Sequence, residues 1–251
     1  LEAVYEEYNI GLSSDWRKVY AALFAKLFPT HPYGTQTTIG LGEHLKNPSI
    51  TNIKNYFNKY YVPNNIAICL SGDLDPDKTV ASIEKYFGNW KPSAHIDVPQ
   101  FPAQPALTAP VDTTVVGKEA PMLFMGWRAD ASNSLQLDTL EVIAQLLSNG
   151  QAGLFDLDLS QKLKVQEVSA GIADMDEYSV FYVYGQPKSG QTLQEVRSLA
   201  LSEIEKLKKG NFSDDLLPSI VNNYKRYYYK QLDNNQFRAK QYVEAFINHK
   251  D

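Results

Sequence analysis

The residues of this chain best suited to bind a metal ion are its four histidines, at positions 31, 44, 95 and 249. A zinc-binding histidine pair on one helix needs a spacing of four residues, because residues i and i+4 share a helix face. None of the four histidines has a partner at that spacing. The sequence therefore predicts no helical histidine pair in this chain.

Each histidine has a structural explanation that we favour over metal binding. His31 lies before a proline in a loop, where a loop-stabilising hydrogen bond is expected. His44 follows Glu43, but neighbouring residues on a helix point about 100° apart, which does not suit a pair of ligands. His95 and His249 are expected to face solvent.

Other reactive residue types lack the spacing that their chemistry needs. The glycines form neither G-x-G-x-x-G nor a P-loop, and no serine lies in G-x-S-x-G. Cys69, the only cysteine, lies in the apolar run 66–70 and is predicted to be buried. The basic and aromatic run 225–230 could stack on nucleic acid, but we favour an amphipathic core helix with its charged groups at the rim.

The composition is that of a globular protein and argues against a nucleic-acid-binding protein and against a membrane-spanning one. The 251 residues are 43% hydrophobic and 21% charged, enough for one large domain or two modest ones. A net charge of −5 argues against nucleic-acid binding, and no apolar run reaches the ~18 residues that span a bilayer. No signal peptide is visible, and a start without Met inside a predicted helix suggests an excised segment. Periplasm and cytoplasm both remain open for a soluble protein.

The first ninety residues are predicted to be mainly helical. Apolar residues at three- and four-residue steps predict helix over 1–28, divided after Gly11 with Ser14 or Asp15 as the second cap. A second predicted helix follows Asn47-Pro48-Ser49, a strand covers 66–71, and Asp75 caps a third helix that ends at Gly88. That third helix is expected to turn its apolar residues inward, namely Val80, Ile83, Tyr86 and Phe87.

Residues 91–110 hold five of the 13 prolines and are predicted to be a stiff linker. Beyond it, strands are predicted at 111–116, 122–127, 167–173 and 179–186. Helices are predicted at 134–147, up to about 164, at 191–209, and at 213–247 with a bend at Pro218. The order strand, turn, capped helix, glycine occurs at 66–90 and again at 179–210, which indicates a duplicated α+β domain.

Several motifs in this order resemble the pitrilysin/insulinase family of zinc metallopeptidases. They are His31-Pro32-Tyr33-Gly34, Tyr60-Tyr61-Val62-Pro63-Asn64-Asn65, Ser71-Gly72-Asp73-Leu74-Asp75, Phe124-Met125-Gly126-Trp127 and Ser148-Asn149-Gly150-Gln151. The resemblance implies an α+β fold of two homologous domains, each an antiparallel sheet with helices packed on one face. The first domain would be incomplete at its N-terminus and cover 1–92, the linker 93–110, and the second, non-catalytic domain 111–251.

In this family, catalysis comes from an H-x-x-E-H helix whose histidines bind zinc and whose glutamate is the general base. That motif does not occur in this sequence, so the resemblance implies no catalytic residue in this chain. Glu6-Glu7 resembles the segment that carries the family's last zinc-binding glutamate, and Glu7 matches it best. The alternative is that both are solvated carboxylates of a first helical turn.

Some family members hold substrate with an Arg and a Tyr in a later domain, but the stretch 151–156 has neither. No substrate-binding residue is therefore assigned. The resemblance implies a parent zinc endopeptidase that acts on unfolded peptides in an interdomain chamber, with this chain inactive and holding no stable zinc alone. The alternative is a non-catalytic homologue acting as a peptide-binding or structural subunit. Expected partners are a peptide substrate and the parent's remaining homologous domains or a partner subunit, with no nucleic acid and no membrane span.

Overall fold

The computed structural model describes residues 2–248 and shows an α+β fold with one three-stranded antiparallel sheet in that range. The helices are α1 (Glu2–Ser13), α2 (Asp15–Leu27), α3 (Pro32–Thr35), α4 (Gly42–Lys46), α5 (Ile50–Tyr60), α6 (Pro76–Phe87), α7 (Leu135–Leu147), α8 (Leu193–Lys208), α9 (Leu216–Gln231) and α10 (Asn235–Ile247). The strands are β1 (Leu123–Ala129), β2 (Glu167–Ala173) and β3 (Ser179–Gln186). The predicted α+β class is confirmed.

Two compact units make up the chain, and they are interleaved in sequence. The first unit contains 1–41 and 102–224, and the second contains 42–101 and 225–251. These units group residues by contact, whereas the predicted bounds 1–92, 93–110 and 111–251 describe homologous segments. Those bounds therefore stay a prediction.

The sheet belongs to the first unit, with β3 in the centre. β3 pairs antiparallel with both neighbours, so that Val183 lies opposite Met125 of β1 and Ala170 of β2. One face of the sheet packs against α7 and α8, around a core of fully buried Phe155, Leu147 and Val196. Burial of such large apolar side chains is the main source of stability in this unit.

The opposite face of the sheet packs against α2 through aromatic rings. Trp16 meets Phe124 edge-on at 4.8 Å between ring centroids, and the Tyr20 ring lies 6.1 Å from the same ring. Gly126 allows this close approach, since a Cβ there would lie 2.9 Å from Leu23 Cδ2. Helices therefore cover both faces of this sheet, so the expectation of helices on one face only is wrong for it.

The caps of α2, α5 and α6 confirm the predicted helix starts. Ser14 accepts a hydrogen bond from the Arg17 N–H, and Ser49 and Asp75 cap α5 and α6 in the same way. A side-chain oxygen at this position satisfies an N–H that the first helical turn leaves unpaired.

In the second unit, the apolar residues predicted to face inward are mostly exposed. Tyr86 is 75% exposed, and Val80 and Phe87 are exposed as well, so that prediction is wrong for this chain. Val62 is the only buried residue of this unit within the described range. The helical periodicity is real, but within 2–248 little packs on the apolar face that it creates.

Two predicted strands do not form, and one predicted helix is divided. Residues 66–71 and 111–116 are not paired in a sheet, because a strand needs a hydrogen-bonding neighbour that residues 2–248 do not provide. The predicted helix 213–247 is interrupted at 232–234, where Asn234 caps α10. Pro218 lies in the first turn of α9, where no intrahelical N–H is needed.

Candidate functional site

Glu7, the predicted zinc ligand, lies on α1 with its side chain exposed, as does Glu6. Within residues 2–248 no group of three or more His, Cys, Asp or Glu side chains is arranged to hold a metal ion. The described residues alone therefore do not fit a zinc site, which needs three or four such ligands. The assignment of Glu7 stays a prediction about a longer polypeptide.

His31 makes the loop-stabilising hydrogen bond that the sequence predicted. Its buried ring accepts a hydrogen bond from the Tyr33 N–H at Nδ1, and Nε2 lies 3.1 Å from a Glu177 carboxylate oxygen. The rings of Phe28 and Tyr178 enclose it. Because Nδ1 accepts, Nε2 carries the proton and donates to Glu177. The histidine fixes the turn into α3.

His44 and His95 lie beside carboxylates of near neighbours in sequence. His44 and His95 are exposed, with His95 Nε2 lying 2.6 Å from an Asp97 oxygen, and His249 lies outside the described residues. Cys69 is only partly buried, not buried as predicted. The tyrosines of the run 225–230 are exposed, so the predicted core helix is wrong there for this chain.

A buried carboxylate joins α2 to the segment before β1. One oxygen of Asp15 accepts hydrogen bonds from the main-chain N–H groups of Lys118 and Glu119, and the other lies 2.9 Å from Lys18 Nζ. The Glu119 N–H and the Lys18 ammonium lower the pKa of Asp15 to about 2. Gly117 is required beside it, because a Cβ there would collide with the carboxylate.

The loop after α7 is organised by two of its own side chains. Asp156 Oδ2 accepts hydrogen bonds from the N–H groups of Asn149, Gln151 and Gly153, at 2.8, 3.2 and 3.0 Å. Asn149 Oδ1 accepts from the N–H groups of Gln151 and Ala152. Three consecutive N–H groups of this turn are thus bonded internally. Asp156 begins a one-turn π-helix, Asp156–Ser160.

This loop and the first half of α9 form the walls of an open cleft of about 420 Å³. Its lining includes Gln151, Leu216, Ser219, Ile220, Asn222 and Asn223. No charged side chain lines it. The volume falls within the range of ligand-binding pockets, although the cleft is open and most of its lining residues are neutral and polar, with Leu216 and Ile220 as its apolar floor. The cleft is the candidate binding site of this chain.

The sequence patterns did not predict this cleft. The glycines around position 150 were interpreted as turn residues, and the only substrate-binding residues expected there were an Arg and a Tyr. A usable signal was the spacing of Leu216, Ile220 and Asn223 on one helical face, together with neutral amides on both walls. Such a pattern indicates a binding site only once the fold is known to place the loop beside the helix.

Comparison with known proteins places most of the chain in a recognised group. Residues 49–224 match the family model described as the peptidase M16 inactive domain. A curated relative, the zinc protease PqqE of Helicobacter pylori, is 24% identical over 238 residues, covering 91% of this chain and 52% of its own length. The chain therefore spans about half the length of this relative. Within the described range, no helix is both long and apolar enough to cross a membrane.

Solved structures share the fold. A protease from Helicobacter pylori has a TM-score of 0.84 and 20% identity, covering 99% of this chain and 61% of its own. A chain of complex III2 from Candida albicans has a TM-score of 0.74 and 17% identity, covering 100% of this chain and 61% of its own. These likenesses support the fold alone, because one fold hosts many functions.

Proposed function

Because this chain belongs to the peptidase M16 inactive-domain family, we propose that it is the non-catalytic part of a zinc-dependent endopeptidase. The whole polypeptide would hydrolyse unfolded peptides held in a chamber between homologous domains. The observation that carries the proposal is the family match over 49–224, together with a similar zinc protease about half of which this chain covers. The isolated chain is expected to be inactive.

The exposed apolar surface of the second unit supports the expected partners. Tyr56 and Phe57 of α5 are 63% and 52% exposed, and Tyr86 of α6 is more exposed still. Large exposed apolar patches mark interaction surfaces. We propose that the remaining domains of the parent, or a partner subunit, cover this surface.

The proposed ligand, Glu7, needs partners from outside this chain. Its exposed position on α1 leaves the carboxylate accessible to histidines of another segment. An H-x-x-E-H helix would supply two such ligands and the general base. Zinc supplies an activated water when bound, and this chain would contribute one carboxylate ligand.

The test is to sequence upstream of Leu1 and express the parent protein. We expect H-x-x-E-H on a predicted helix roughly seventy residues before Glu7, as the inverted zinc motif requires. Parent protein with Glu7→Gln should bind zinc at least about tenfold more weakly, whereas Glu6→Gln serves as the matched control. Tight stoichiometric zinc on the isolated chain, or equal zinc loss in both variants, would contradict the assignment.

A second candidate function is a structural or peptide-binding subunit without catalysis. It is considered because this sequence contains no H-x-x-E-H motif and because a chain of complex III2, which is part of a larger assembly, has a similar fold. Upstream sequence with the histidines or the glutamate of the motif replaced would support this function. The parent would then bind peptides or subunits and show no hydrolysis.

A further inference from the structure

We propose that the cleft between the loop 149–152 and the first half of α9 binds the main chain of an uncharged stretch of peptide. This inference rests on the peptide-handling function proposed above and names the chemistry that this part of the protein would recognise. It follows from the rigidity of both walls and from the groups that line them.

The loop wall is held in place before any ligand arrives. Asp156 and Asn149 bond the main-chain N–H groups of Gln151, Ala152 and Gly153, and Asn149 Nδ2 donates to the Gln145 carbonyl. Because these N–H groups are already bonded, the side chain of Gln151 is what the loop offers to a ligand. A wall fixed in this way loses little conformational entropy on binding.

The helix wall is fixed by its own apolar residues. Leu216 and Ile220 of α9 are buried and pack with Leu146 of α7. Ser219 and Asn223 are three and seven residues after Leu216, so they lie on the same side of the helix. The polar groups are thus presented beside an apolar floor that could accept small side chains.

The lining selects the class of ligand. The side chains of Gln151, Ser219, Asn222 and Asn223 make no hydrogen bonds to other residues in 2–248, and all four are exposed. Carboxamides both donate and accept, as peptide groups do. No Lys or Arg is present to pair with a phosphate or carboxylate, and no Asp or Glu to pair with a cation. A neutral peptide main chain fits this set better than a charged ligand.

The experiment titrates the full chain with an end-capped Ala/Ser hexapeptide and follows backbone amide NMR signals. We expect shifts at Gln151, Ala152 and Asn223. A peptide of the same sequence, N-methylated at two central residues, should bind at least about fivefold more weakly because it lacks two donors. The affinity should change less than about twofold between 50 and 500 mM salt, because no charge pair is involved. Equal binding of the N-methylated peptide, or of a neutral oligosaccharide, would overturn the proposal.

Substitutions in the cleft test whether the hexapeptide binds there. Asn222→Ala with Asn223→Ala should weaken hexapeptide binding at least about fivefold, and alanine preserves the helix. Asn58→Ala, an exposed asparagine of α5, is the matched control and should stay within about twofold. Unchanged binding by the double variant, or equal loss in the control, would refute the cleft.

Kinetic measurements on the parent protein distinguish an error in this proposal from an error in the proposed function. If the parent hydrolyses peptides, the double variant should raise KM for neutral substrates and leave kcat unchanged. Hydrolysis with an unaffected KM would overturn the cleft and leave the function standing. No hydrolysis by the parent, combined with N-methyl-sensitive binding by this chain, would refute the peptidase and support the cleft.

Discussion

The two compact units are built from similar amphipathic helices but differ in what covers those helices. In the first unit, α2, α7 and α8 pack on a sheet, and Phe155 and Leu147 are completely buried. In the second, α5 and α6 also carry apolar faces, yet Val62 is the only described residue of that unit that is buried. Amphipathic periodicity therefore predicts which face of a helix packs against another element, but it does not predict whether that element lies in the same chain.

The largest expected difference is the cost of deleting one aromatic ring in each unit. Phe155→Ala should destabilise the first unit by about 3–5 kcal/mol, because the ring is fully buried and leaves a cavity. Phe57→Ala in the exposed face of α5 should change stability by less than about 1 kcal/mol. Hydrogen exchange, read separately in β3 and in α5, measures both. Equal losses of stability from the two substitutions would contradict the difference between the two units.

A pair of glycines gives the next largest effect. Gly126→Ala should cost about 1–3 kcal/mol, since its new methyl group would lie 2.9 Å from Leu23 and force α2 away from the sheet. Gly72→Ala in the second unit meets nothing closer than 3.8 Å and should stay within about 0.5 kcal/mol. The denaturant concentrations at the unfolding midpoints of the two variants measure these stability costs. A neutral Gly126→Ala would mean that α2 is loosely packed.

Cap removal should affect both units alike, because a helix cap acts locally. Ser134→Ala removes the cap of α7 and Ser49→Ala that of α5. Each should destabilise its own helix by about 1 kcal/mol. Local hydrogen exchange in the two helices checks this. A much smaller effect for Ser49 would show that α5 is not stably helical in the isolated chain.

The remaining prediction concerns acid. The depressed pKa of Asp15, about 2 against 3.8 for an unperturbed aspartate, stabilises the folded state at pH above about 4. That contribution is lost as pH falls from about 4 towards 2, because the folded carboxylate becomes protonated there. Asp15→Asn should therefore differ most from the unaltered chain at neutral pH and converge with it near pH 2. Unfolding midpoints between pH 7 and 2 test this, and a gap that persists at pH 2 would contradict it.

Local signals in the sequence predicted much of the fold. The strands 167–173 and 179–186 and the caps Ser14, Ser49 and Asp75 lie where the pattern placed them. Local hydrogen bonds and side-chain alternation determine these features, and a sequence carries both. The apolar run at 66–71 was also predicted to be a strand and did not form one. Strand formation depends on a neighbouring strand, which lies beyond the reach of a local pattern.

The candidate site was less predictable than the fold. Glu7 was selected by resemblance, and its role as a ligand depends on residues outside the described chain. The cleft at Gln151 and Asn223 combines positions more than seventy residues apart in sequence. Neutral amides have no distinctive spacing of the kind that metal ligands have, so only the folded arrangement identifies them.

The hydrogen bonds between Thr30 and Gln104 have a consequence for how this chain can change over evolution. They join residues 74 positions apart, on either side of the continuous segment 42–101. A segment whose two ends are tied together behaves as an insertion into the first unit. Doubling the length of such an insertion adds only about 0.6 kcal/mol to the entropy of closing it. The length of this segment can therefore change at little entropic cost to the first unit.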